Sequence, residues 1–142
     1  MRTLGLDIGD RRIGVAVSDA LGLTAQPLTV LVRRSLAEDL GVIRTLVEHH
    51  GVSAVAVGLP LTLRGARGPQ AEKVVAFTEQ LRQAVAVPVH LIDERLTTVQ
   101  GSRALTEMGL RHKQKKSVVD RVAAQLILQQ FLDMQRHREQ AA

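Results

Sequence analysis

The strongest constraint on the fold lies in the opening segment, residues 3–18, where apolar side chains alternate on both sides of a turn signal. Leu4, Leu6 and Ile8 fall on one face, with Thr3, Gly5 and Asp7 on the other. Gly9-Asp10 then marks a turn, and Ile13, Val15 and Val17 resume the alternation with Gly14, Ala16 and Ser18 opposite. A period of two specifies strands, and so short a turn between them specifies a hairpin. One face of that hairpin is bulky, while the other is nearly bare apart from Asp7. A bare face is buried only by an element that can approach closely.

The rest of the chain supplies such elements. A third strand is expected over Leu28 to Val32, after a loop at Pro27. Ser35 and Glu38 form a capping box before a helix with Leu36, Leu40, Ile43 and Val47 on its apolar stripe, stopped by Gly51. Ala54 to Val57 is a short apolar run of the buried parallel type, ending at Gly58. A loop carrying Pro60, Arg64, Gly65, Arg67 and Gly68 leads to Pro69, which suits a first helical turn, and to the stripe Val74, Phe77, Leu81 and Val85. Val87 to Ile92 reads as the fifth strand. Thr97 or Thr98 is expected to cap a third helix through Leu105 and Met108, with Gly109 as its stop. The polar run Arg111 to Lys116 precedes a last helix opened by Ser117, with Val119, Val122, Ala123, Leu126, Ile127, Phe131 and Met134 as its stripe.

Three antiparallel strands followed by two right-handed crossovers give an α/β fold, a mixed five-stranded sheet in the order 3-2-1-4-5 flanked by helices. The 142 residues suit one domain, expected over 1–138, with 139–142 as a frayed tail. The chain has no cysteine, which excludes disulfides, thiolate metal sites and cysteine nucleophiles and suits a reducing cytoplasm. No signal-peptide pattern or membrane-length apolar stretch appears, so a cytoplasmic chain with no membrane partner is expected.

In this topology Asp7, Gly58 and Asp93-Glu94 end three parallel strands on one sheet edge, where open α/β sheets bind ligands. Strand 4 separates Asp7 from Glu94 by two strand spacings, roughly 10 Å. Convergence requires strand 4 to end in something small, and it ends in Gly58. Asp120 lies on nearly the same helical face as Ile127, and Ala123 and Ala124 would let that helix approach Gly5, Gly14 and Ala16, bringing Asp120 towards Asp7. Carboxylates about 5 Å apart repel by roughly 3 kcal/mol at an effective dielectric near 20. Such a cluster holds a proton or binds a cation, and an all-oxygen set favours Mg²⁺ or Mn²⁺, a pair of which could activate water against a phosphodiester. Plainer roles stand beside this one: Asp7 as a turn residue, Glu94 as the surface ion-pair partner of Arg95, and Asp120 as a helix-capping residue after Ser117.

Nineteen Lys and Arg against fourteen Asp and Glu give a net charge of +5, which favours a polyanion. With two Phe, no Tyr and no Trp, the chain cannot build a base-stacking platform, so any grip on nucleic acid is by the backbone. Arg111, Lys113, Lys115, Lys116 and Arg121 surround the start of the last helix, and Arg64 and Arg67 occupy the loop at the same sheet edge; these are the expected nucleic-acid contacts. Arg33, Arg34, Arg136 and Arg138 read as a solvated basic face. None of the histidines has a partner at ligand spacing, and no histidine is assigned a catalytic role.

Four blocks together carry a resemblance: Gly5-Leu6-Asp7-Ile8-Gly9 with Arg12-Ile13-Gly14-Val15-Ala16-Val17-Ser18-Asp19; Gly58-Leu59-Pro60 leading to Gly65 and Gly68; Asp93-Glu94-Arg95-Leu96-Thr97-Thr98; and Lys115-Lys116-Ser117-Val118-Val119-Asp120 with Ala123-Ala124. In this order and spacing the chain resembles, over nearly its whole length, the YqgF/RuvX family of Holliday-junction resolvase homologues in the RNase H-like superfamily. The resemblance implies an RNase H-like fold, a Mg²⁺ or Mn²⁺ nuclease site at Asp7, Glu94 and Asp120, and processing of the 5′ end of the small-subunit ribosomal RNA precursor. Arg12, within the first block, joins the expected nucleic-acid contacts. The chain departs from RuvC-type resolvases where Gly58 ends strand 4 in place of an acid and where Ser117, one turn before Asp120, offers no second carboxylate; one metal and two both remain open. Branched or single-stranded DNA is the alternative substrate, for which a homodimer would supply paired sites. The rival readings are a non-catalytic ribosome-assembly factor and an ATP-handling relative of the actin and sugar-kinase fold, which would need a second domain.

Overall fold

The computed structural model describes the backbone of residues 1–96 and 113–141 and the side chains of residues 1–95 and 122–139. Five strands, β1 (Arg2–Ile8), β2 (Arg12–Ser18), β3 (Ala25–Val32), β4 (Val52–Leu59) and β5 (Val89–Asp93), form one sheet in the order β3-β2-β1-β4-β5. β2 runs antiparallel to β1 and to β3, whereas β4 lies parallel to both β1 and β5. The helices are α1 (Leu36–His49), α2 (Pro69–Ala84) and α3 (Lys113–Ala141), and a single 3₁₀ turn, Glu94–Leu96, follows β5. The mixed α/β sheet and its strand order are those expected. The helix expected over residues 97–108 lies outside the described residues.

The two faces of the sheet are unequal. On one, Leu4, Leu6, Ile13, Val15, Val55 and Val57 are fully buried against Ile43 of α1 and Val74 and Leu81 of α2. On the other, Ala16, Ala25, Ala56 and Ile92 pack under Ala123, Ala124, Ile127, Leu128 and Phe131 of α3. Small residues let α3 settle close to the strands: a Cβ built on Gly5 would lie 2.6 Å from Leu128 Cβ and 3.0 Å from the Ala124 carbonyl oxygen. Gln125 and Gln129 tie the helix to the sheet margin, Gln129 Oε1 accepting from Ala25 N at 2.9 Å and Gln125 Nε2 donating to Ala25 O at 3.1 Å.

Some boundaries, among them those of β3 and α3, differ from expectation. β3 begins at Ala25 and contains Pro27, where the register shifts between Val15 and Ala16 of β2. A proline is tolerated there because β3 is an edge strand with a bulge. α3 starts at Lys113, before Ser117, and its last residue is Ala141. Arg33 is not part of a solvated face. Its Nε pairs with the buried Asp39 at 3.1 Å, its Nη1 donates to Gly9 O at 3.0 Å, and its guanidinium lies 5.0 Å over the Phe77 ring. At the start of α1, Ser35 caps as expected, its Oγ accepting from Glu38 N at 3.2 Å.

At the opposite end of the sheet, backbone N–H groups of Thr24 and Leu23 hold the Asp19 carboxyl below its ordinary pKa, at 3.2 and 2.7 Å from Oδ1. A folded value depressed in this way stabilises the turn above the unfolded value of about 3.9, and that contribution is lost as pH falls through the folded value. Amide exchange of Leu23 and Thr24 should therefore hold steady down to about pH 4 and accelerate, relative to intrinsic rates, below it. Asp19→Asn should abolish that pH dependence. Gly5→Ala, with no room for its methyl group, should cost about 1–3 kcal/mol in denaturant unfolding.

Candidate active site

The parallel strands β1, β4 and β5 deliver their carboxyl ends to one edge. Asp7 stands one residue beyond the Leu6–Val57 pair and opposite Gly14 of β2, while Gly58 pairs with Ile92 and Leu59 with Asp93. Strand alternation puts Asp7 on the Gly5 side, and Glu94, in the 3₁₀ turn, is drawn in over Gly58, so both lie on the face that α3 covers. Both carboxylates are buried, Asp7 at 5% exposure and Glu94 at 1%.

The small residues between them have a definite function. A Cβ built on Gly58 would overlap Ile127 Cδ1 and would lie 2.7 Å from Glu94 Oε1. Glu94 therefore reaches over the end of β4, through space that any side chain at position 58 would fill. On the other flank, Asp7 is in register with Gly14 of β2, which has no side chain. Two oxygen-only side chains buried on one face of the sheet, with a glycine ending the strand between them, are of the donor type that a hard divalent cation takes. Among the described residues no third His, Asp or Glu joins them. Asp120, the third expected acid, lies on the α3 backbone, and its side chain is outside the described residues.

The plain alternative for Glu94 is not what forms. Arg95 pairs instead with Asp93: Nη2 lies 2.7 Å from Oδ2, Nε lies 3.1 and 3.2 Å from the two oxygens, and Arg95 N donates to Oδ1 at 2.9 Å. The Arg95 side-chain hydrogen bonds hold the Asp93 carboxyl below the usual carboxylate range, and Asp93 in turn raises the Arg95 guanidinium. Sequence reasoning missed this pair. The available signal was the i, i+2 spacing of opposite charges flanking an acid at a strand end, which sends the outer two one way and the middle one the other.

Of the expected basic contacts, Arg12 is exposed at the start of β2, beside the Gly9 turn, where Gly9 N donates to Arg12 O at 2.8 Å. Arg64 and Arg67 are exposed on the loop between β4 and α2. These three share the edge with Asp7 and Glu94. Arg111 lies outside the described residues, as do the side chains of Lys113, Lys115, Lys116 and Arg121. Of the histidines, His90 packs against Phe131 with ring centroids 5.1 Å apart, and His49 meets His50 edge-on at 4.9 Å; neither arrangement approaches the acids' edge of the sheet.

A 3-2-1-4-5 mixed sheet with acids at the ends of β1 and β5 is the RNase H-like arrangement. T. thermophilus RuvC, solved in complex with a Holliday junction substrate, shares the fold at a TM-score of 0.59 over 96% of each chain, with 16% identity. The fowlpox virus Holliday junction resolvase matches at 0.51, with 12% identity over 94% of this chain and 99% of that one. The fold is thus RNase H-like. Residues 1–134 match the model of the RuvX family, described as Holliday junction resolvase. A relative from Moorella thermoacetica named "Putative pre-16S rRNA nuclease" is 51% identical over 133 residues, covering 94% of this chain and 95% of its own, and one of the same name from Halothermothrix orenii is 47% identical over 95% and 96%. The chain belongs to the RuvX family and is a nuclease, a hydrolase of nucleic-acid ester bonds.

Gly58→Ala should displace Glu94 and reduce cleavage at least tenfold, equivalent to about 1.4 kcal/mol of transition-state stabilisation. Adding Ile127→Val, which removes the overlapping Cδ1, should recover unfolding stability without recovering cleavage. Recovery of both would place the effect in packing alone.

Proposed function

We propose that this nuclease cuts a phosphodiester of the 16S ribosomal RNA precursor, near its 5′ end, with Asp7, Glu94 and Asp120 as the residues that hold Mg²⁺ or Mn²⁺. The observation that carries the reading is the burial of Glu94 across the side-chain-free end of β4, on the same face as Asp7. A bound divalent cation would supply an activated water and charge stabilisation for the leaving oxygen. The protein's own part is to present carboxylate oxygens at a fixed edge and to keep the flanking positions bare so that a phosphate can enter.

Substrate grip falls to cations rather than to rings. Both phenylalanines are buried, Phe77 at 4% exposure and Phe131 at 6%, so neither can stack a base. Arg12, Arg64 and Arg67 at the acid edge, together with Arg111, Lys113, Lys115, Lys116 and Arg121 in sequence around Asp120, would neutralise backbone phosphates. The names of the relatives support an RNA precursor as substrate. A ribosomal precursor places the work in the cytoplasm, and no described helix is long and apolar enough to cross a membrane. A homodimer would bring two such sites together where two strands must be cut.

The test is cleavage by the purified protein of precursor RNA, single-stranded DNA and a four-way DNA junction, each with Mg²⁺ and with Mn²⁺. Precursor RNA should be cut preferentially, and Asp7→Asn should lower the rate by about two orders of magnitude or more. Cleavage that survives Asp7→Asn would remove the site as drawn. Preference for the junction would assign the same site to DNA.

A further inference from the structure

The loop that carries Arg64 and Arg67 is shaped from within and braced from outside. Within it, Thr62 closes a tight turn: Thr62 N donates to Ala66 O at 2.9 Å, Gly65 N to Thr62 O at 2.8 Å, and Ala66 N to Thr62 Oγ1 at 3.0 Å. Gly65 takes a left-handed conformation, φ +84°, which strains any other side chain. The outside brace is Arg95. A Cβ built on Gly65 would lie 2.9 Å from Nη1, 3.3 Å from Cζ and 3.4 Å from Nη2, so the guanidinium rests against the open side of the glycine.

That guanidinium has little freedom to yield. Asp93 engages its Nε and Nη2 through both carboxylate oxygens. Asp93 itself is the last residue of β5, in register with Leu59 of β4. A continuous set of contacts thus runs from the β5 end through Asp93 and Arg95 to Gly65, and so to Arg64 and Arg67 on either side. Glu94 sits between the two clamp residues in sequence and turns the opposite way, into the protein. The strand end that aims the acid also braces the basic loop.

We propose that Arg95 is a positioning residue for the nuclease reaction: gripped by Asp93 and seated on Gly65, it fixes the Arg64–Arg67 loop relative to Glu94, so that phosphates held by the loop arrive in register with the acids. The proposal rests on the reading of Arg64 and Arg67 as nucleic-acid contacts. The clamp requires a planar, bidentate cation, and lysine, a point charge on a flexible stem, would keep the charge but lose the geometry. Nε and Nη2 face Asp93 and Nη1 faces Gly65, so Arg95 acts through the loop and not on substrate.

The experiment compares Arg95→Lys, Gly65→Ala and the double variant Arg64→Ala/Arg67→Ala in the full chain, using the precursor RNA. Steady-state KM and kcat, the dependence of log affinity on log salt, and thermal unfolding are measured for each. The double variant should flatten the salt slope by almost two units, as two lost phosphate contacts would. Arg95→Lys and Gly65→Ala remove no charge, yet both should flatten the slope in the same direction and raise KM about ten- to a hundredfold with a smaller change in kcat, because misplaced contacts are lost contacts. Wild-type slope and KM in Arg95→Lys would overturn the clamp even if Gly65→Ala proved too strained to fold. An unchanged slope in the double variant would instead remove the loop from the interface, and the proposal with it, whatever the Arg95 variant did.

Discussion

The close seating of α3 on the bare face of the sheet is the constraint on which the rest of this structure depends. Helices normally pack with their side chains between them and their neighbours; here Gly5 and Gly58 leave no such spacer, and Leu128 and Ile127 occupy the positions where their Cβ atoms would be. Ala16, Ala56, Ala123 and Ala124 extend the same thin layer. The opposite face, filled with Leu, Ile and Val against α1 and α2, supplies the ordinary bulk of the core. One side of the sheet gives apolar volume, and the other gives proximity.

Proximity makes the site. A buried acid at the end of β1 and another just past β5 are separated by a whole strand, and β4 ends between them without a side chain. Both acids are buried, and Ile127 of α3 stands where a side chain at position 58 would be. In this chain β4 ends in a glycine, Gly58, and not in an acid. The bare position becomes the space over which Glu94 reaches.

The charges divide into two kinds of work. Arg33 and Arg95 are structural, each locked to an aspartate, the one joining α1 to the Gly9 turn and the other joining β5 to the 60–68 loop. Arg12, Arg64 and Arg67 stay exposed along the acid edge, positive against its negative centre. An acidic edge that is to take an anionic substrate needs such a surround, since carboxylates alone repel phosphates.

Alternation of Leu4, Leu6 and Ile8 against Gly5 and Asp7, the capping pair at Ser35 and Glu38, and the lone glycine at the end of an apolar run were enough to specify five strands, their order and the sheet edge that carries Asp7 and Glu94. These signals are local, and periodicity carries them without tertiary context. The i, i+2 spacing of Asp93 and Arg95 hinted at their pairing but did not decide it, because Glu94 is also within reach of the guanidinium and only the turn after β5 sends one acid outwards and the other under α3. Pro27 inside a strand and Arg33 as a half-buried brace on the buried Asp39 escaped for a related reason: edge position and burial are properties of the assembled sheet. The sequence by itself determined the elements and the sheet edge that holds the acids; the tertiary structure alone decided which charges are neutralised inside the fold, because that depends on distances between segments that no local pattern encodes.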